Sequence, residues 1–452
     1  MKALRWSSSA LLVALLAGCS DGDSKSSAGS GGSGGVGGTS SSGGSGACVG
    51  GGNGKLDVSI KLPTGVPADV TFKSAAGLEQ DVVSAAKIDL AAGQYSVIAR
   101  RVTKQGLIVG SAYYPKPVAP FCLKAGATQP VSVEYDLEPG SQKLWFAGGV
   151  DAVHSGAIDA ADLTASGDVA ASVTMSGTAM NARALAFDRD GNLWVGDATG
   201  NLLMYARDTL GASRSDEPDR VLSGAALCAE VIPCGPRALA FDDADGLWVA
   251  LPDRISHFPA TALAATGEPA ADVNLTGPDV MAPEALALDA EGSLWVANVE
   301  AGVAKFAASR LTADSAAPAD VVLVGQTPEP VVSDLGSPTA LAFDEAGALW
   351  VGYFGPNIVA RYEPESLLES ATVTPTTQLG VDVLALIESM AFDDSGNLWI
   401  GGSAGKLGRV AAAQLVAGGD PSAAAVTISS ADISYAVDIA FDPPAKLSPI
   451  VR

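Results

Sequence analysis

The chain has 452 residues, of which 48% are hydrophobic, and its 50 acidic and 27 basic residues give a formal net charge of −23. This length suits two folded parts with a full core rather than one small domain. The acidic balance argues against a nucleic-acid partner, because neutralising phosphates requires clustered Lys and Arg.

The first residues, 1–19, have the pattern of a secretory signal. Lys2 and Arg5 precede an apolar run over residues 10–17, which is too short to span a bilayer. The run closes with LAGC, ending at Cys19, and these four residues resemble the lipobox of bacterial lipoproteins. The resemblance implies lipidation of Cys19 and, because Ser20 follows it, sorting to the outer membrane of a diderm cell. A plain secretory signal with a chance Cys is the alternative.

Residues 20–54 are mostly Ser and Gly, with an occasional Ala, Thr or charged residue, which predicts a flexible tether. Residues 55–138 then alternate apolar and polar positions in short segments such as KLDVSIKL and VSVEYDL, which predicts an all-β sandwich. Its LAAGQYSVIARR segment resembles one strand of transthyretin-like or carboxypeptidase-regulatory-like sandwiches. That resemblance implies a spacer or adhesive module, and a purely structural stalk is the alternative.

One unit recurs through residues 141–452. It is clearest as RALAFDRDGNLWVGD from Arg183, and its Leu-Trp pairs begin at residues 144, 193, 247, 294, 349 and 398. A period of about 50 residues is typical of a four-stranded propeller blade, in which ALAF and LWV pair through an Asp-Gly turn. The first copy, KLWFAGG, lacks AFD, and the last, VDIAFD, lacks LWV. We therefore predict a six-bladed β-propeller closed by the N- and C-terminal strands, with the six Trp residues in its core.

The unit LAFDxxGNLWV resembles the β-propeller repeats of the NHL, streptogramin-lyase-like and SMP-30/gluconolactonase-like group. This group includes lyases, lactonases and pure binding proteins, so the resemblance implies the propeller without deciding the function. The lyases depend on His residues and a Glu near the central cavity. Here His154 is expected in the loop after Trp145 and His257 on a third strand, away from equivalent channel positions. We interpret both as packing or hydrogen-bonded residues.

The lactonase-like relatives hold a divalent metal at the mouth of the channel. In a blade, the loop entering the innermost strand and the loop leaving the second strand lie at the same end. The candidate ligand-binding residues expected at that end are Arg183, Asp197, Arg237, Glu284, Asn298, Tyr353 and Glu388. Carboxylate and amide oxygens suit Ca²⁺, with Glu284 and Asn298 as metal candidates, while Arg183 and Arg237 suit an anionic group. The alternative is that these residues only solvate the mouth and pair with each other, with no cofactor.

Export suits the cysteine content. Cys228 and Cys234 are close enough in sequence for a local disulfide, and Cys48 and Cys122 remain as a second pair once Cys19 is lipidated. A metal site is the alternative, but the chain has no CxxC spacing and only two His residues.

Together these patterns predict a monomeric, lipid-anchored protein of the bacterial cell envelope. Its propeller would bind a protein, glycan or small ligand at the cell surface without catalysis. The alternatives are a metal-dependent lactonase-like hydrolase, a streptogramin-lyase-like lyase, or a scaffold in an envelope assembly.

Overall fold

A computed structural model of the chain describes residues 51–100, 102, 112–138, 143–149, 153–177, 181–215, 217–228, 234–326, 335–344, 346–381, 384, 386–393, 395–403, 405–415 and 426–442. The signal segment with Cys19, most of the tether and Cys48 lie outside these residues. No helix within the described ranges is both long and apolar enough to cross a membrane.

The N-terminal part is a β-sandwich, as predicted. Its strands are β1 (Asn53–Lys61), β2 (Asp69–Ser74), β3 (Glu79–Val82), β4 (Ala86–Ala91), β5 (Gly93–Arg100), β6 (Ala112–Pro115), β7 (Phe121–Leu123) and β8 (Thr128–Glu138). They form two sheets, ordered β4-β1-β8-β6 and β3-β2-β5-β7. The alternation of KLDVSI buries Leu56 and Val58 against Phe72 and Tyr95 of the facing sheet, which makes one apolar core.

The remaining strands belong to the propeller. They are β9 (Lys143–Gly149), β10 (Val153–Ile158), β11 (Gly167–Asp168), β12 (Val173–Ser176), β13 (Ala182–Phe187), β14 (Leu193–Asp197), β15 (Leu202–Tyr205), β16 (Arg220–Leu222), β17 (Ala238–Phe241), β18 (Leu247–Leu251), β19 (Arg254–Phe258), β20 (Val273–Leu275), β21 (Pro283–Leu288), β22 (Leu294–Asn298), β23 (Gly302–Phe306), β24 (Val321–Gly325), β25 (Pro338–Phe343), β26 (Leu349–Tyr353), β27 (Ile358–Tyr362), β28 (Ala371–Val373), β29 (Thr377–Gly380), β30 (Ile387–Phe392), β31 (Leu398–Gly402), β32 (Lys406–Val410), β33 (Val426–Ser429) and β34 (Ile433–Asp442). Short 3₁₀ helices cover Asp162–Thr164, Arg207–Thr209, Ala308–Arg310 and Pro364–Leu367, and one α-helical turn, α1, covers Ala412–Leu415.

These strands form six antiparallel blades, numbered from the one that contains Trp145. Blade 1 has the order β12-β10-β9-β34, so the C-terminal strand is its innermost strand and the N-terminal LWF strand is its second. Blades 2 to 6 begin with β13, β17, β21, β25 and β30. Each innermost strand contacts both neighbours in the cycle β34, β13, β17, β21, β25, β30 and back to β34. The predicted six-bladed ring and its closure by the first and last strands of the repeat region, β9 and β34, are confirmed.

The tryptophans form the core between blades. All six lie in the second strands and are at most 2% exposed. Five of them pack on the Leu and the Val or Ile of the next blade's second strand, as Trp194 does on Leu247 and Val249. The sixth, Trp399, packs on Leu144 and Phe146 of blade 1. Five of the six, including Trp399, also pack edge to face on the Phe that ends the next innermost strand, with centroids 6.0–6.2 Å apart. Apolar faces on both sides of each blade therefore stabilise the ring.

The repeat aspartate has a second role besides the turn. Asp393 Oδ1 accepts from the backbone N–H of Ser395 and Asn397 at 2.9 and 3.0 Å, and its Oδ2 accepts from Trp399 Nε1 at 3.0 Å. The same indole contact joins Trp194 to Asp188, Trp295 to Asp289, and Trp350 to Asp344, at 2.9–3.0 Å. One carboxylate thus fixes the turn and satisfies the polar end of a buried Trp.

Blade 3 departs from this arrangement because of His257. Its Nε2 lies 2.9 Å from Asp242 Oδ2, where other blades place the indole nitrogen. A Cβ on Gly246 would lie only 2.2 Å from that same Nε2. Glycine is therefore required one place later than in the other repeats, and Asp245 takes the left-handed position of the turn with φ of 61°.

The sandwich is joined to the propeller by four charged side chains. Arg100 Nε lies 3.0 Å from Asp245 Oδ2 and its Nη1 lies 3.2 Å from Asp69 Oδ1. Arg189 completes the ring, with Nη1 3.2 Å from Asp69 Oδ2 and Nε 3.3 Å from Asp245 Oδ1. Asp69 and Arg100 belong to the sandwich, whereas Arg189 and Asp245 belong to the turns of blades 2 and 3. The Asp-Gly turns of blades 2 and 3 therefore also hold the sandwich against the propeller.

Candidate functional site

The innermost strands place charged residues at one end of the channel. Arg183 lies in β13, Arg237 directly precedes β17, Glu284 lies in β21 and Glu388 lies in β30. Each stands four residues before the Phe or Leu that ends its strand. Because all six innermost strands begin at the same end of the channel, these four residues surround its mouth. We call this set, Arg183, Arg237, Glu284 and Glu388, the mouth cluster.

Glu284 sits between the two arginines. Its Oε1 accepts a hydrogen bond from Arg237 Nη1, and its Oε2 lies 3.7 Å from Arg183 Nη2. The side chains of Glu284, Arg237 and Arg183 are 22%, 18% and 31% exposed, so the cluster is mostly withdrawn from solvent. Burial raises the pKa of Glu284 above its ordinary value, although Arg237 and Arg183 act in the opposite direction.

Glu388 faces the same space from blade 6. Burial, together with the negative charge of Glu284, raises the pKa of Glu388 to about 7, while Arg183 acts to lower it. Glu388 makes no hydrogen bond or ion pair with any residue that the structure describes. A carboxyl group of this kind changes its charge near neutral pH.

Asp438, on the innermost strand of blade 1, is a further ionisable group that was not among the candidates predicted from the sequence. Its Oδ2 accepts from Leu185 N at 2.7 Å and its Oδ1 from Ile439 N at 2.8 Å, which clips blade 1 to blade 2. Burial raises the pKa of Asp438 to about 7 despite these two hydrogen bonds. The equivalent residue is Ala in four repeats and Ser in one. This difference between Asp438 and the small residues at equivalent positions could have identified it from the sequence.

The other three predicted mouth residues are buried in supporting roles. Asp197 is 0% exposed, and its carboxylate accepts from the backbone N–H of Thr199 and Asn201 and from both their side chains, at 2.9–3.0 Å. Asn298 is also 0% exposed and accepts from Met281 N at 3.1 Å. The Tyr353 hydroxyl lies 2.7 Å from that of Tyr362. These side chains shape the loops around the mouth, and we restrict the candidate site to the mouth cluster.

The fit of the predicted Ca²⁺ ligands is poor. Both Glu284 oxygens face arginines, and the oxygens of Asp197 and Asn298 accept hydrogen bonds from the protein itself. Among the described residues, no group of three or more His, Cys, Asp and Glu side chains is arranged to hold a metal ion.

Both histidines are engaged by the fold. His154 lies in β10 and not, as predicted from the sequence, in the loop after Trp145. Its ring nitrogens lie 3.0 Å from Ser155 Oγ and 3.2 Å from Tyr205 Oη, and burial lowers its pKa to about 4. His257 is held between Asp242 and Asp272, at 2.9 and 2.6 Å. Burial acts to lower the pKa of His257, but the two carboxylates outweigh it and the pKa is raised.

The predicted disulfide between Cys228 and Cys234 is confirmed. Cys122 is also disulfide-bonded, and its predicted partner Cys48 lies outside the described residues. Beside Cys228 is a shallow cavity of about 300 Å³ lined in part by Thr199 and Asn201. These two side chains already donate hydrogen bonds to Asp197, so this cavity is a weaker candidate than the mouth.

Comparisons with known proteins give fold-level similarity only. No family model matches the chain, and no curated protein matches it. Similar solved structures include a streptogramin B lyase, with a TM-score of 0.34, 11% identity and coverage of 51% of this chain and 66% of that one. A virginiamycin B lyase from Staphylococcus aureus has a TM-score of 0.33, 10% identity and coverage of 51% and 67%. The chain thus spans about two thirds of each lyase, and similarity at this level carries no conclusion about function.

Proposed function

We propose that this protein is anchored by lipid at Cys19 in a bacterial outer membrane and that its propeller binds a ligand at the channel mouth without catalysing a reaction. One observation carries the proposal. Arg183 is largely withdrawn from solvent and lies no closer than 3.7 Å to its partner Glu284, while Glu388 makes no ion pair or hydrogen bond in the described chain. Ion clusters with a purely structural role usually satisfy their members. Unsatisfied charged groups in a concave site are typical of ligand binding.

The state of the two histidines favours binding over catalysis. His154 is neutral at physiological pH and buried on Tyr205, and His257 is held by two aspartates outside the channel mouth. The most common general acid and base of enzymes is therefore occupied at both positions. The ligand classes that we propose are a protein, a glycan or a small molecule.

A second candidate function is a hydrolase or lyase that acts at the same mouth. Glu388 and Asp438 favour it, because each has a pKa raised to about 7, the range in which a general acid or base works best. On this proposal Glu388 is the catalytic residue, since Asp438 is held by two backbone N–H groups. Turnover of lactones or streptogramins that is lost in Glu388→Gln would establish it.

Binding is tested by presenting the mature protein to glycan, peptide and small-molecule arrays beside the variant Arg183→Gln/Glu388→Gln. A ligand of the mouth binds the wild type and is lost from the variant, whereas adsorption elsewhere is equal for both. The proposal is wrong if every array signal is retained by the variant.

The anchor is tested separately by expression in a diderm bacterium with radiolabelled palmitate. We expect label in the outer-membrane fraction for the wild type and none for Cys19→Ala. Equal release of both proteins in soluble form would contradict the anchor without affecting the binding proposal.

A further inference from the structure

The mouth cluster has more hydrogen-bond donors than acceptors. A guanidinium carries five N–H groups, and Arg183 and Arg237 share one acceptor side chain, Glu284. Arg237 Nη1 donates to Glu284, but Arg237 Nε is buried and has no hydrogen-bond partner among the described residues. Arg183 makes no hydrogen bond with a described residue, since its nearest acidic oxygen lies at 3.7 Å. The ligand that completes this site is therefore an acceptor.

The charge of the cluster gives the same answer. Two arginines face the Glu284 carboxylate, so the cluster carries about one net positive charge when Glu284 is ionised and Glu388 is protonated. The charged groups that act on Glu388 are Glu284 and Arg183. A locally positive mouth stands in a chain whose formal net charge is −23. One net positive charge at the mouth matches a monoanion. A dianion such as a phosphate monoester would bring a second negative charge, which would repel the Glu284 carboxylate.

An apolar rim lies on the same face. Met281, Phe354 and Tyr435 are 43%, 38% and 54% exposed, although large apolar side chains are usually buried. Met281 is three residues before Glu284, Phe354 directly follows β26, and Tyr435 precedes the regular part of β34. Met281 and Tyr435 therefore stand where the chain enters the innermost strands of blades 4 and 1, and Phe354 stands where it leaves the second strand of blade 5. Both kinds of segment lie at the mouth end of a blade. A ligand with an apolar body would cover them.

We propose that the mouth binds a small amphiphilic monocarboxylate, whose carboxylate accepts from Arg183 and Arg237 while its apolar part lies on Met281, Phe354 and Tyr435. This inference rests on the binding function proposed above and names its ligand class. The planar carboxylate matches the fork of donors that a guanidinium presents. A protonated Glu388 adds one further donor, so binding should be tighter below neutral pH.

The test uses three probes that differ only in their polar group: 4-phenylbutyrate, 4-phenylbutanamide and 4-phenylbutylamine. Each is titrated into the mature protein by calorimetry at about pH 6, below the pKa of Glu388. We expect the carboxylate to bind at least about tenfold more tightly than the amide, with the amine weakest. Arg183→Gln should weaken the carboxylate by about tenfold or more, and the control Arg310→Gln, which breaks an ion pair with Asp320, should leave it unchanged.

Glu388→Gln is the second variant, because it keeps a donor without a charge. It should bind 4-phenylbutyrate equally at about pH 6 and about pH 8, whereas the wild type weakens across that range. If the amine or the amide binds most tightly, and this binding is lost in Arg183→Gln, the ligand is not a carboxylate but the proposed binding function still holds. Equal binding of all three probes in every variant would overturn the inference, as would no binding at all. In that last case the array experiment decides the binding function independently.

Discussion

Trp399 of blade 6 and Phe441 of blade 1 pack edge to face, with ring centroids 6.1 Å apart and ring planes at 67°. Phe441 lies in β34, the last strand that the structure describes, and Trp399 also meets β9 through Leu144 and Phe146. The two ends of the repeat region, β9 and β34, are thus joined by the same contact that joins neighbouring blades. This contact packs the face of blade 6 against blade 1, so that neither apolar blade face is left uncovered at the junction.

The first prediction concerns this closure. Phe441→Ala removes a side chain that is 2% exposed and should lower the free energy of unfolding by about 3 to 5 kcal/mol. Phe187→Ala, which removes the equivalent contact with Trp145, is the matched comparison inside the ring. Urea denaturation should give similar losses for both. A much smaller loss for Phe441→Ala would mean that the C-terminal strand does not close the ring.

The second prediction concerns the aspartate under each tryptophan. Asp393→Ala leaves the buried Trp399 Nε1 and two turn N–H groups without their acceptor, and should cost about 1 to 3 kcal/mol of unfolding free energy. Asp162→Ala, at an exposed position of a 3₁₀ helix, should cost little. Equal effects of the two substitutions in urea denaturation would show that the indole contact is not stabilising.

The third prediction concerns the joint between sandwich and propeller. Asp245→Asn keeps a residue that tolerates the φ of 61° but removes the carboxylate shared by Arg100 and Arg189. These side chains are partly exposed, so we expect a loss of only about 1 kcal/mol, smaller in high salt. Asp253→Asn, which breaks an exposed ion pair with Arg254, is the control.

Asp245→Asn should also allow the sandwich and the propeller to unfold separately. Trp fluorescence reports the propeller alone, because all six Trp residues after the signal segment lie in it. Circular dichroism reports both folded parts. In the wild type and in Asp253→Asn the two signals should change together during unfolding, and in Asp245→Asn they should separate. Coincident transitions in Asp245→Asn would mean that the four-residue ion ring does not couple the two parts.

The fourth prediction concerns pH. The pKa of Glu388 rises from an ordinary value of 4.5 to about 7 on folding, so the folded protein holds this proton more tightly than the unfolded chain. Its contribution to stability is complete at acidic pH and is lost as the pH rises toward 7. Glu388→Gln should therefore gain roughly 1 to 3 kcal/mol relative to the wild type between acidic pH and about pH 8.

Asp438 is present in both the wild type and Glu388→Gln, so its titration contributes equally to the two unfolding free energies and cancels from their difference. Glu365→Gln, which removes the same charge at an exposed position, serves as the control. Parallel curves for Glu388→Gln and the wild type would contradict the buried, charge-sensitive position of Glu388.

The repeat pattern predicted most of the fold because each strand, turn and interface recurs. The spacing of Leu-Trp and Asp-Gly determines the blades, and the incomplete first and last copies determine the closure. The bond from Trp399 to Asp393 was missed because the Asp-Gly turn already accounted for the aspartate. The joint through Arg100 and Asp245 joins residues 145 positions apart, and no local pattern records such a contact.

The candidate site was predicted only in part for a different reason. Strand register gives the end of the blade at which a residue stands, and it placed Arg183, Arg237, Glu284 and Glu388 together. It does not give the direction of a side chain in a loop. Asp197 turns back onto its own loop because DATGN offers donors two and four residues later. That short motif was the signal against its use as a ligand.

The central claim is that the mouth cluster serves ligand binding and not the stability of the ring. Binding sites hold charged groups at a cost to the free protein, so their neutral replacement usually stabilises the fold while removing function. The most direct measurement is the urea unfolding free energy of Arg183→Gln/Glu388→Gln at neutral pH, together with its binding of 4-phenylbutyrate. We predict unchanged or increased stability and loss of binding. A less stable variant that still binds the carboxylate would contradict the account.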